Sequence, residues 1–593
     1  MTLILPVLCI LLASLCALTS AASDYHERLV LQPLPSSSLL ASFNFRSNAS
    51  RESFEKQHFR YFPRSLGQIL QHAHTKELHL RFTTGRWDAE SWGTRPWNGA
   101  KEGGTGAELW AWIDAPSDEE AFAKWITLTQ SLSGLFCASL NFIDSTRTTR
   151  PVVSFEPAGD HDPSSQLHLL HGTLPGEVVC TENLTPFVKL LPCKGKAGIS
   201  SLFDGHKLFD ASWQSMSIDV RPVCPEGESD CLIQIEQTID MVLDIDRAKR
   251  PRDNPIPRPV PADQLVCDPS KPYNSWDTCY PLEKTSEKAW SLTEVFGRSL
   301  KGACPLTDNH GEGAKTICLR VPHEREVYIT AGAFETKNPD GFSRCYTLLS
   351  SNPFDLTLPE QELQTKVPLE QPVLHAERTI IGHGQERGGM RVILRNPSNT
   401  DAVNFIYFET LPWFMRPYLH TLQATITTRD GVQTQIPVSQ IVKDIFYRPA
   451  VDRERGTQLE LILSVPAAST VTLIYDFEKA ILRYTEYPPD ANRGFNVAPA
   501  IIRILDRNDS SSPIYIRTTS LLLPLPTPDF SMPYNVIILT STVMALAFGS
   551  IFNLLVRRFV PADQVVVHTL KAKIIGKIVT IQDRLRGKAV KVE

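Results

Sequence analysis

Two runs decide the fold class of the second half of the chain: Leu459-Glu460-Leu461-Ile462-Leu463 and Thr470-Val471-Thr472-Leu473-Ile474-Tyr475. Apolar and β-branched residues dominate both, and they flank the turn Pro466-Ala467-Ala468, which predicts a β-hairpin of the sandwich type. The pattern stays mostly β over residues 371–524, a stretch that contains no cysteine. We therefore expect a β-sandwich-like domain there, with a core that holds without disulfides.

Residues 23–246 mix strand and helix signals. Glu77-Leu78-His79-Leu80-Arg81-Phe82 alternates polar and apolar residues as a half-buried strand does, and Leu109-Trp110-Ala111-Trp112-Ile113 predicts a second strand. Ser117-Asp118-Glu119-Glu120 is a capping-box pattern. It precedes apolar residues at helical spacing, which predict an amphipathic helix on the strands: Ala121, Trp125, Leu128, Leu132 and Leu135. The prediction is an α+β domain in a β-rich chain.

Between these two regions the composition changes twice. Residues 247–262 alternate proline with basic residues, which is typical of an extended linker. Residues 263–370 form a predicted disulfide-containing middle region. The spacings Cys224…Cys231 and Cys267…Cys279 favour local disulfides over zinc ligands, and no CxxC pair occurs, so no metal site is expected.

The two ends of the chain predict its compartment. Residues 1–22 combine an apolar run with small residues suited to cleavage of a signal peptide. Residues 536–556 are uncharged and apolar, and as a helix they span about 31 Å, enough for a single transmembrane helix. Basic residues closely follow this span but do not closely precede it. The positive-inside rule therefore places residues 23–535 in the lumen, including a pre-membrane segment at 525–535, and residues 557–593 in the cytosol.

The cytosolic tail is basic. We expect its basic side chains to lie against anionic lipid. From the middle of the tail onward they are Lys571, Lys573, Lys577, Arg584, Arg586, Lys588 and Lys591. The protein is thus predicted to be a single-pass type I membrane protein with a lipid-facing tail.

Charge and motifs argue against several classes of function. The 593 residues carry 60 basic and 65 acidic side chains, a net charge of −5, which gives no support to nucleic-acid binding. The sequence shows no nucleophile elbow, zinc-protease helix, phosphate-binding loop or dinucleotide fingerprint. His310-Gly311 with Cys345 downstream is the nearest approach to a thiol-protease pair, but no apolar strand leads into Cys345. We expect no catalytic residue, no metal and no cofactor.

Sequons and cysteines agree with a lumenal location. Three N-glycosylation sequons fall on the predicted lumenal side, at Asn48, Asn183 and Asn508, although Pro186 makes the second a poor acceptor. Of 12 cysteines two leave with the signal peptide, and the other ten lie between Cys137 and Cys345, where oxidation is permitted. The sequence predicts a glycosylated, disulfide-bonded protein.

Several long and uncommon strings occur in order from about residue 55 into the membrane span. They are Phe59-Arg60-Tyr61-Phe62-Pro63-Arg64-Ser65-Leu66-Gly67, Phe136-Cys137-Ala138-Ser139-Leu140-Asn141-Phe142-Ile143-Asp144, Val179-Cys180-Thr181-Glu182-Asn183-Leu184-Thr185-Pro186, Leu411-Pro412-Trp413, Tyr484-Thr485-Glu486-Tyr487-Pro488-Pro489-Asp490, and Leu525-Pro526-Thr527-Pro528-Asp529-Phe530-Ser531-Met532-Pro533-Tyr534-Asn535-Val536. Together these strings resemble the PIG-T-type subunit of the GPI transamidase complex. The proline-rich linker and the tail carry no such resemblance.

The resemblance implies a noncatalytic, scaffolding subunit of a multi-subunit enzyme in the endoplasmic-reticulum membrane. That complex removes a C-terminal signal from precursor proteins and joins the new carboxyl end to glycosylphosphatidylinositol (GPI). The family's cysteine-protease-like subunit forms the acyl-enzyme, and the PIG-T-type subunit supports it. Expected partners are that catalytic subunit, other membrane subunits, the GPI glycolipid and precursor proteins. The alternative from another class is a type I membrane adhesion or glycan-binding ectodomain.

The resemblance also places an intermolecular disulfide at Cys180, joined to the cysteine-protease-like subunit. Spacing alone leaves an equally good alternative, an intrachain disulfide between Cys180 and Cys193. If Cys180 is used externally, an odd number of lumenal cysteines is left. At least one other cysteine is then unpaired or externally paired.

The predicted membrane helix has a face of small and polar residues that a simple membrane anchor does not require. Ala545, Gly549 and Asn553 fall at i, i+4 and i+8, which places them on one helical face. A small residue four before a glycine lets another helix approach closely, and an asparagine in hydrocarbon needs a hydrogen-bond partner. We expect this face to pack on helices of partner subunits, with Tyr534 and Asn535 at the lumenal mouth near the glycolipid. The alternative is that Asn553 lies at the cytosolic interface and is hydrated.

Overall fold

The computed structural model describes residues 24–224, 231–250, 261, 263, 265–268, 270–271, 279–281, 286–307, 315–330, 333–348, 352–362, 369–382, 384–488, 493–505, 513–526, 531–557 and 570–585. The predicted signal peptide and residues 251–260 of the predicted linker lie outside these residues. The chain divides into two compact units, Met1–Pro526 and Thr527–Glu593.

A large sheet fills the first part of the first unit. The strands of residues 25–362 are β1 (Tyr25–Leu34), β2 (Ser38–Ser50), β3 (Thr75–Gly85), β4 (Gly106–Asp114), β5 (Thr148–Thr149), β6 (Leu167–Leu174), β7 (Trp213–Val223), β8 (Leu232–Asp244), β9 (Leu265–Cys267), β10 (Cys279–Pro281), β11 (Ser286–Glu287), β12 (Trp290–Ser291), β13 (Lys315–Leu319), β14 (Tyr328–Ile329), β15 (Ala333–Lys337), β16 (Arg344–Leu348), β17 (Leu356–Leu358) and β18 (Gln361–Glu362). Eleven of them lie in the order β15-β16-β13-β1-β2-β8-β7-β3-β4-β6-β5. All neighbours are antiparallel except β1 and β13, which are parallel. Strands from beyond residue 246 thus complete a sheet that begins at residue 25.

Helices cover one face of this sheet. In this part of the chain the structure has α1 (Arg51–Glu55), α2 (Arg64–His72), α3 (Ala89–Trp92), α4 (Asp118–Phe136), α5 (Thr181–Leu190), α6 (Gly205–Phe209), α7 (Ile245–Ala248) and α8 (Leu292–Phe296), with 3-10 turns at Pro96–Gly99, Ser139–Phe142 and Ile199–Leu202. The predicted amphipathic helix is confirmed as α4: the Ser117 hydroxyl accepts a hydrogen bond from the Glu120 N–H at 3.3 Å, and Trp125 and Leu128 are buried in the core. The helix ends at Phe136 and is capped by Cys137, whose φ of 51° is left-handed.

The other face of the sheet carries buried charge, so the prediction of a half-buried strand is wrong for β3. Glu77, His79 and Arg81 are 0%, 5% and 1% exposed. The His79 ring lies 2.7 Å from a Glu77 oxygen and 2.5 Å from an Asp219 oxygen, and Arg81 donates to that Asp219 oxygen at 2.6 Å. Trp110 stacks on the His79 ring, with centroids 4.7 Å apart. This polar face can be buried because its charges compensate one another, and Trp110 on the neighbouring strand β4 covers both His79 and Arg81.

Residues 371–524 form the predicted sandwich. Its strands are β19 (His375–Ile381), β20 (Arg387–Arg395), β21 (Val403–Leu411), β22 (Met415–Thr428), β23 (Gln433–Ile436), β24 (Val442–Arg448), β25 (Thr457–Val465), β26 (Ser469–Lys479), β27 (Phe495–Val497), β28 (Ile501–Ile504), β29 (Tyr515–Arg517) and β30 (Leu521–Leu523), with α9 at Val438–Ile441 and a 3-10 turn at Tyr484–Glu486. One five-stranded sheet has the order β19-β20-β26-β22-β23 and the other β24-β25-β21-β28-β29. A single apolar core joins them.

The predicted hairpin at residues 459–475 is wrong, although both of its strands exist. β25 pairs with β21 and β24, whereas β26 pairs with β20 and β22 in the opposite sheet. Leu461 and Leu473 both point into the shared core. The alternation of apolar residues is the same for a hairpin and for a connection that crosses between sheets, so the local pattern does not distinguish them.

A carboxylate of the sandwich holds a segment of the first domain. Glu460 on β25 is buried and accepts hydrogen bonds from the backbone N–H groups of Val152, Val153 and Ser154 at 2.8, 3.0 and 3.0 Å. The Ser154 hydroxyl donates to the same carboxylate at 2.5 Å. Four bonds to one buried carboxylate fix this segment against the sandwich.

An ion pair and aromatic rings complete the interface between the sheet and the sandwich. Arg517 on β29 donates to both oxygens of Glu108 on β4, at 2.8 and 3.0 Å, and Glu108 is 1% exposed. Around the pair, Trp110 and Phe155 of the first domain pack with Tyr515 of the sandwich. The interface therefore combines a desolvated charge pair with apolar contact.

The second unit contains two described helices, α10 (Ser531–Val556) and α11 (Leu570–Leu585). Within α10, the 23 residues Tyr534–Val556 are long and apolar enough to cross a membrane, and none is buried within the chain. A helix that is a candidate membrane span therefore lies where the sequence predicts one, and it begins two residues earlier than predicted. Helix α11 lies in the tail.

Glu27 on β1 is a buried carboxyl whose pKa gives a pH dependence. Tyr25 Oη donates to one of its oxygens at 2.8 Å, and the Ile199 N–H donates to the other at 2.8 Å. Burial raises the pKa of Glu27 from 4.5 to about 7, outweighing these hydrogen bonds. The folded pKa thus exceeds the unfolded one. The contribution of Glu27 to stability is therefore complete below pH 4.5 and is lost as the pH rises through about 7.

We expect Glu27→Gln to flatten this pH dependence. The amide oxygen still accepts from the Ile199 N–H and the amide NH₂ can donate to Tyr25 Oη, but no charge has to be buried. Between about pH 5 and about pH 8 the wild type should lose on the order of 3 kcal/mol of unfolding free energy relative to the variant. Thermal unfolding of the full-length protein across that range measures the difference. Parallel pH profiles for the two proteins would contradict the role of Glu27.

Candidate functional site: unpaired thiols where two helices meet

Four disulfides bind eight of the described cysteines. They join Cys193 to Cys304, Cys224 to Cys231, Cys267 to Cys279 and Cys318 to Cys345. The two predicted local disulfides are confirmed. The alternative pairing of Cys180 with Cys193 is wrong, because Cys193 pairs with a cysteine 111 residues away. Cys345 is likewise bonded and offers no free thiol, while His310 lies outside the described residues.

Cys180 and Cys137 remain unpaired in the part of the chain that the structure describes. Cys180 is the half-buried residue that precedes α5, and the exposed Cys137 is the residue that follows α4. The amide of Asn183 connects them: its Oδ1 accepts from the Cys180 N–H at 2.8 Å, and its Nδ2 donates to the carbonyls of Phe136 and Cys137 at 3.0 and 3.4 Å. One side chain thus fixes the start of α5 to the end of α4.

Two large apolar side chains are exposed on the segments that carry these thiols. Phe142, which closes the 3-10 turn after α4, is 60% exposed, and Val178, two residues before Cys180, is 77% exposed. The Ser139 N–H donates to a Glu177 oxygen at 2.8 Å, so the two segments that carry them are joined. A partly exposed thiol beside exposed apolar side chains can form a disulfide with a second protein that covers the patch.

The predicted glycosylation sites fall in different environments. Asn183 is 1% exposed and both of its amide atoms are hydrogen-bonded, so the folded chain offers no access to its Nδ2. The sequon does not indicate this burial, because it is defined by residue types alone. Asn48 is half-buried at the end of β2, and its Oδ1 accepts from Gln234 at 3.0 Å. Asn508 lies outside the described residues.

The predicted membrane contact residues lie on α10. Ala545, Asn553, Tyr534 and Asn535 are exposed, and Gly549 is half-buried. A Cβ added at Gly549 would meet no atom of the described residues within 4 Å, apart from the nearby backbone of its own helix. The helical face of Ala545, Gly549 and Asn553 is therefore open to contact with another molecule.

A cavity of about 1040 Å³ lies where the segment after β3 meets β19 and β29. Its wall carries charges that pair across it: Arg86 with Glu377 at 3.4 Å, and Arg395 with Glu90 at 3.5 Å. These pairs join the sheet to the sandwich. Within the described residues, no three His, Cys, Asp or Glu side chains form a group that could hold a metal ion.

Comparison with known proteins identifies the family to which the whole chain belongs. The sequence profile described as "Gpi16 subunit, GPI transamidase component" matches residues 9–581. The chain is 40% identical over 583 residues to GPI transamidase component GPI16 of Saccharomyces cerevisiae, which covers 95% of this chain and 93% of that protein. It is 36% identical over 552 residues to the PIG-T homolog of Schizosaccharomyces pombe, covering 92% of each. It is 34% identical over 585 residues to the human GPI-anchor transamidase component PIGT, again covering 92% of each. The chain therefore belongs to the Gpi16 family of GPI transamidase components.

Proposed function

We propose that this chain is the noncatalytic, scaffolding subunit of its GPI transamidase and is linked by a disulfide at Cys180 to the cysteine-protease-like catalytic subunit. The observation that carries the proposal is the unpaired, half-buried thiol of Cys180 in a chain with four intrachain disulfides. A thiol left over in an oxidising compartment is typical of an intermolecular disulfide. Phe142 and Val178 give the catalytic subunit an apolar contact surface.

In this role the chain contacts precursor proteins and the GPI glycolipid only as part of the complex, and the catalytic subunit carries out the reaction. It orients the catalytic subunit through Cys180, and α10 contacts other membrane subunits. Tyr534 and Asn535, exposed at the start of α10, lie near the glycolipid. Family membership argues against the alternative of a free-standing adhesion or glycan-binding ectodomain.

The complex then resides in the endoplasmic-reticulum membrane, with this chain as a single-pass type I subunit. Two observations support a lumenal location for residues 23–535. The first unit holds four disulfides, which need an oxidising compartment. Basic residues follow α10 at Arg557 and Arg558, as expected on a cytosolic flank.

Disulfide mapping of the native complex tests the proposal. The full-length chain is purified from membranes treated with a thiol-alkylating reagent, and its mobility is compared on non-reducing and reducing gels. We expect a non-reduced species that contains one further subunit, and a cross-linked peptide that includes Cys180. Recovery of Cys180 in alkylated form, with no covalent partner, would overturn the proposed link.

The small-residue face of α10 gives a second prediction. Gly549→Leu fills the space through which another helix can approach while raising hydrophobicity, so we expect the yield of intact complex and anchor attachment to fall severalfold. Partial loss is expected because helix contacts of this kind contribute about 0.6–2 kcal/mol each.

Ala547→Leu is the matched control for that variant. Ala547 lies on the opposite side of α10, about 160° from Gly549, so the same side chain is added away from the predicted contact. Complex yield and anchor attachment are measured for both variants. If Gly549→Leu behaves like Ala547→Leu, the face of Ala545, Gly549 and Asn553 contacts lipid only.

A further inference from the structure

Helix α11 in the tail is amphipathic. At 100° per residue, Leu570, Ile574, Ile578, Ile581 and Leu585 fall within one arc of about 80°. Lys573, Lys577, Thr580 and Arg584 fall on an arc that begins at one edge of that apolar face. Lys571 and Gln582 lie at the other edge of the apolar face, and Ile575 and Val579 lie beyond them.

Nothing in the described part of the chain covers this apolar face. Ile574, Ile578 and Ile581 are 53%, 55% and 58% exposed, and Leu570 and Leu585 are 79% and 82% exposed. A contiguous apolar face of this size on a helix needs a partner, because water contact with it is unfavourable.

The helix is too short and too charged to be a second membrane span. Its 16 residues extend about 24 Å, less than a hydrocarbon core. Three lysines, one arginine and Asp583 lie along it. Its polar face would have to enter the hydrocarbon in a spanning orientation, which is strongly unfavourable.

Charge and tethering point to a lipid surface as the partner. Cations flank both edges of the apolar face and match anionic headgroups, since lysine and arginine stems can bury while their charged ends reach the headgroup layer. Residues 557–569 connect α11 to the end of the transmembrane helix and reach at most about 45 Å, so the helix stays close to the bilayer surface.

We propose that α11 is an interfacial helix that binds an anionic membrane surface, with its axis in the plane of the bilayer and Ile574, Ile578 and Ile581 in the headgroup–acyl boundary. The proposal requires α10 to span a membrane and does not depend on the disulfide at Cys180. It assigns the tail a second membrane attachment that holds the end of α10 at a fixed depth and limits its rotation.

Cysteine accessibility in nanodiscs tests the placement. The tail contains no cysteine, so Ile578→Cys reports on the apolar face, and Thr580→Cys is the matched control on the polar face of the same helix. Each full-length variant, with its copurifying subunits, is reacted with a membrane-impermeant maleimide, and the tail peptide is quantified by mass spectrometry. In discs that contain phosphatidylserine we expect Ile578→Cys to react about tenfold more slowly than Thr580→Cys. Equal rates at the two positions would overturn the proposal.

The dependence of the labelling rates on lipid charge distinguishes a membrane partner of α11 from a protein partner. In discs of phosphatidylcholine alone, and also after Lys573→Gln with Lys577→Gln in anionic discs, we expect the difference between the two positions to shrink about fivefold or more. Slow labelling of Ile578→Cys that is the same with both lipids would overturn anionic-lipid binding and indicate that another subunit covers the helix.

Discussion

Cys180→Ser is expected to abolish the covalent species that contains this chain and the catalytic subunit. The sulfur of Cys180 forms the proposed intermolecular bond, and the other described cysteines, apart from Cys137, are already bonded within the chain. Serine keeps the size and the polar character of the residue before α5, so the local fold should persist. Non-reducing electrophoresis of the purified complex measures the effect.

Some noncovalent association should survive in Cys180→Ser, because a disulfide reinforces an interface that already exists. Cys137→Ser is the matched control, since Cys137 is the other unpaired thiol and lies on the far side of the Asn183 bridge. We expect Cys137→Ser to keep the covalent species at the wild-type level. Persistence of that species in Cys180→Ser, or its loss in Cys137→Ser alone, would contradict the assignment of the link to Cys180.

Arg517→Met is expected to give the largest loss of stability among single substitutions at the interface of the sheet and the sandwich. It leaves the buried carboxylate of Glu108 without its cation. Burial raises the pKa of Glu108, but Arg517 and His171 outweigh it and hold that pKa well below its usual range, so the carboxylate is charged. Removal of one partner of a buried pair costs about 3–5 kcal/mol.

Arg503→Met is the control, because Arg503 also reaches from the sandwich to the first domain. Its partner Glu156 is 71% exposed and can be solvated when Arg503 is lost, so we expect a cost of about 1 kcal/mol. The double variant Arg517→Met, Glu108→Met should recover most of the stability, since no charge is left buried. Denaturant unfolding of the full-length protein compares all three. If Arg517→Met and Arg503→Met lowered the free energy of unfolding equally, the buried pair of Arg517 and Glu108 would contribute no more to stability than the exposed pair.

Local patterns in the sequence predicted elements well and their pairing poorly. The alternation at residues 459–475 predicted two strands, but the choice between one sheet and two depends on β20 and β21, which lie far away in the sequence. Likewise, Cys224 and Cys231 are close enough for spacing to suggest their disulfide, whereas Cys193 and Cys304 meet only when the fold is complete. Spacing is informative when the chain between two residues is short.

The buried charges could not be predicted from sequence either, because the paired residues lie far apart in the chain. Glu108 and Arg517 are 409 residues apart, and each alone is typical of a solvated strand face.

The candidate site was predicted in part. Cys180 was identified through family resemblance, and the odd number of remaining cysteines required a second unpaired thiol. Only the structure identifies that thiol as Cys137 and shows that Asn183 connects the two.

The parallel pairing of β1 with β13 has a consequence for biosynthesis. β1 is the first described strand of the nascent chain to be synthesised, but its neighbour β13 is separated from it by residues 35–314. At about 5–20 residues per second, translation of that stretch takes about 15–60 s. During this interval one edge of β1 has unpaired backbone groups that can bind another strand. Chaperones can therefore bind this edge of each newly synthesised copy during a defined interval, which ends when β13 has been synthesised through Leu319.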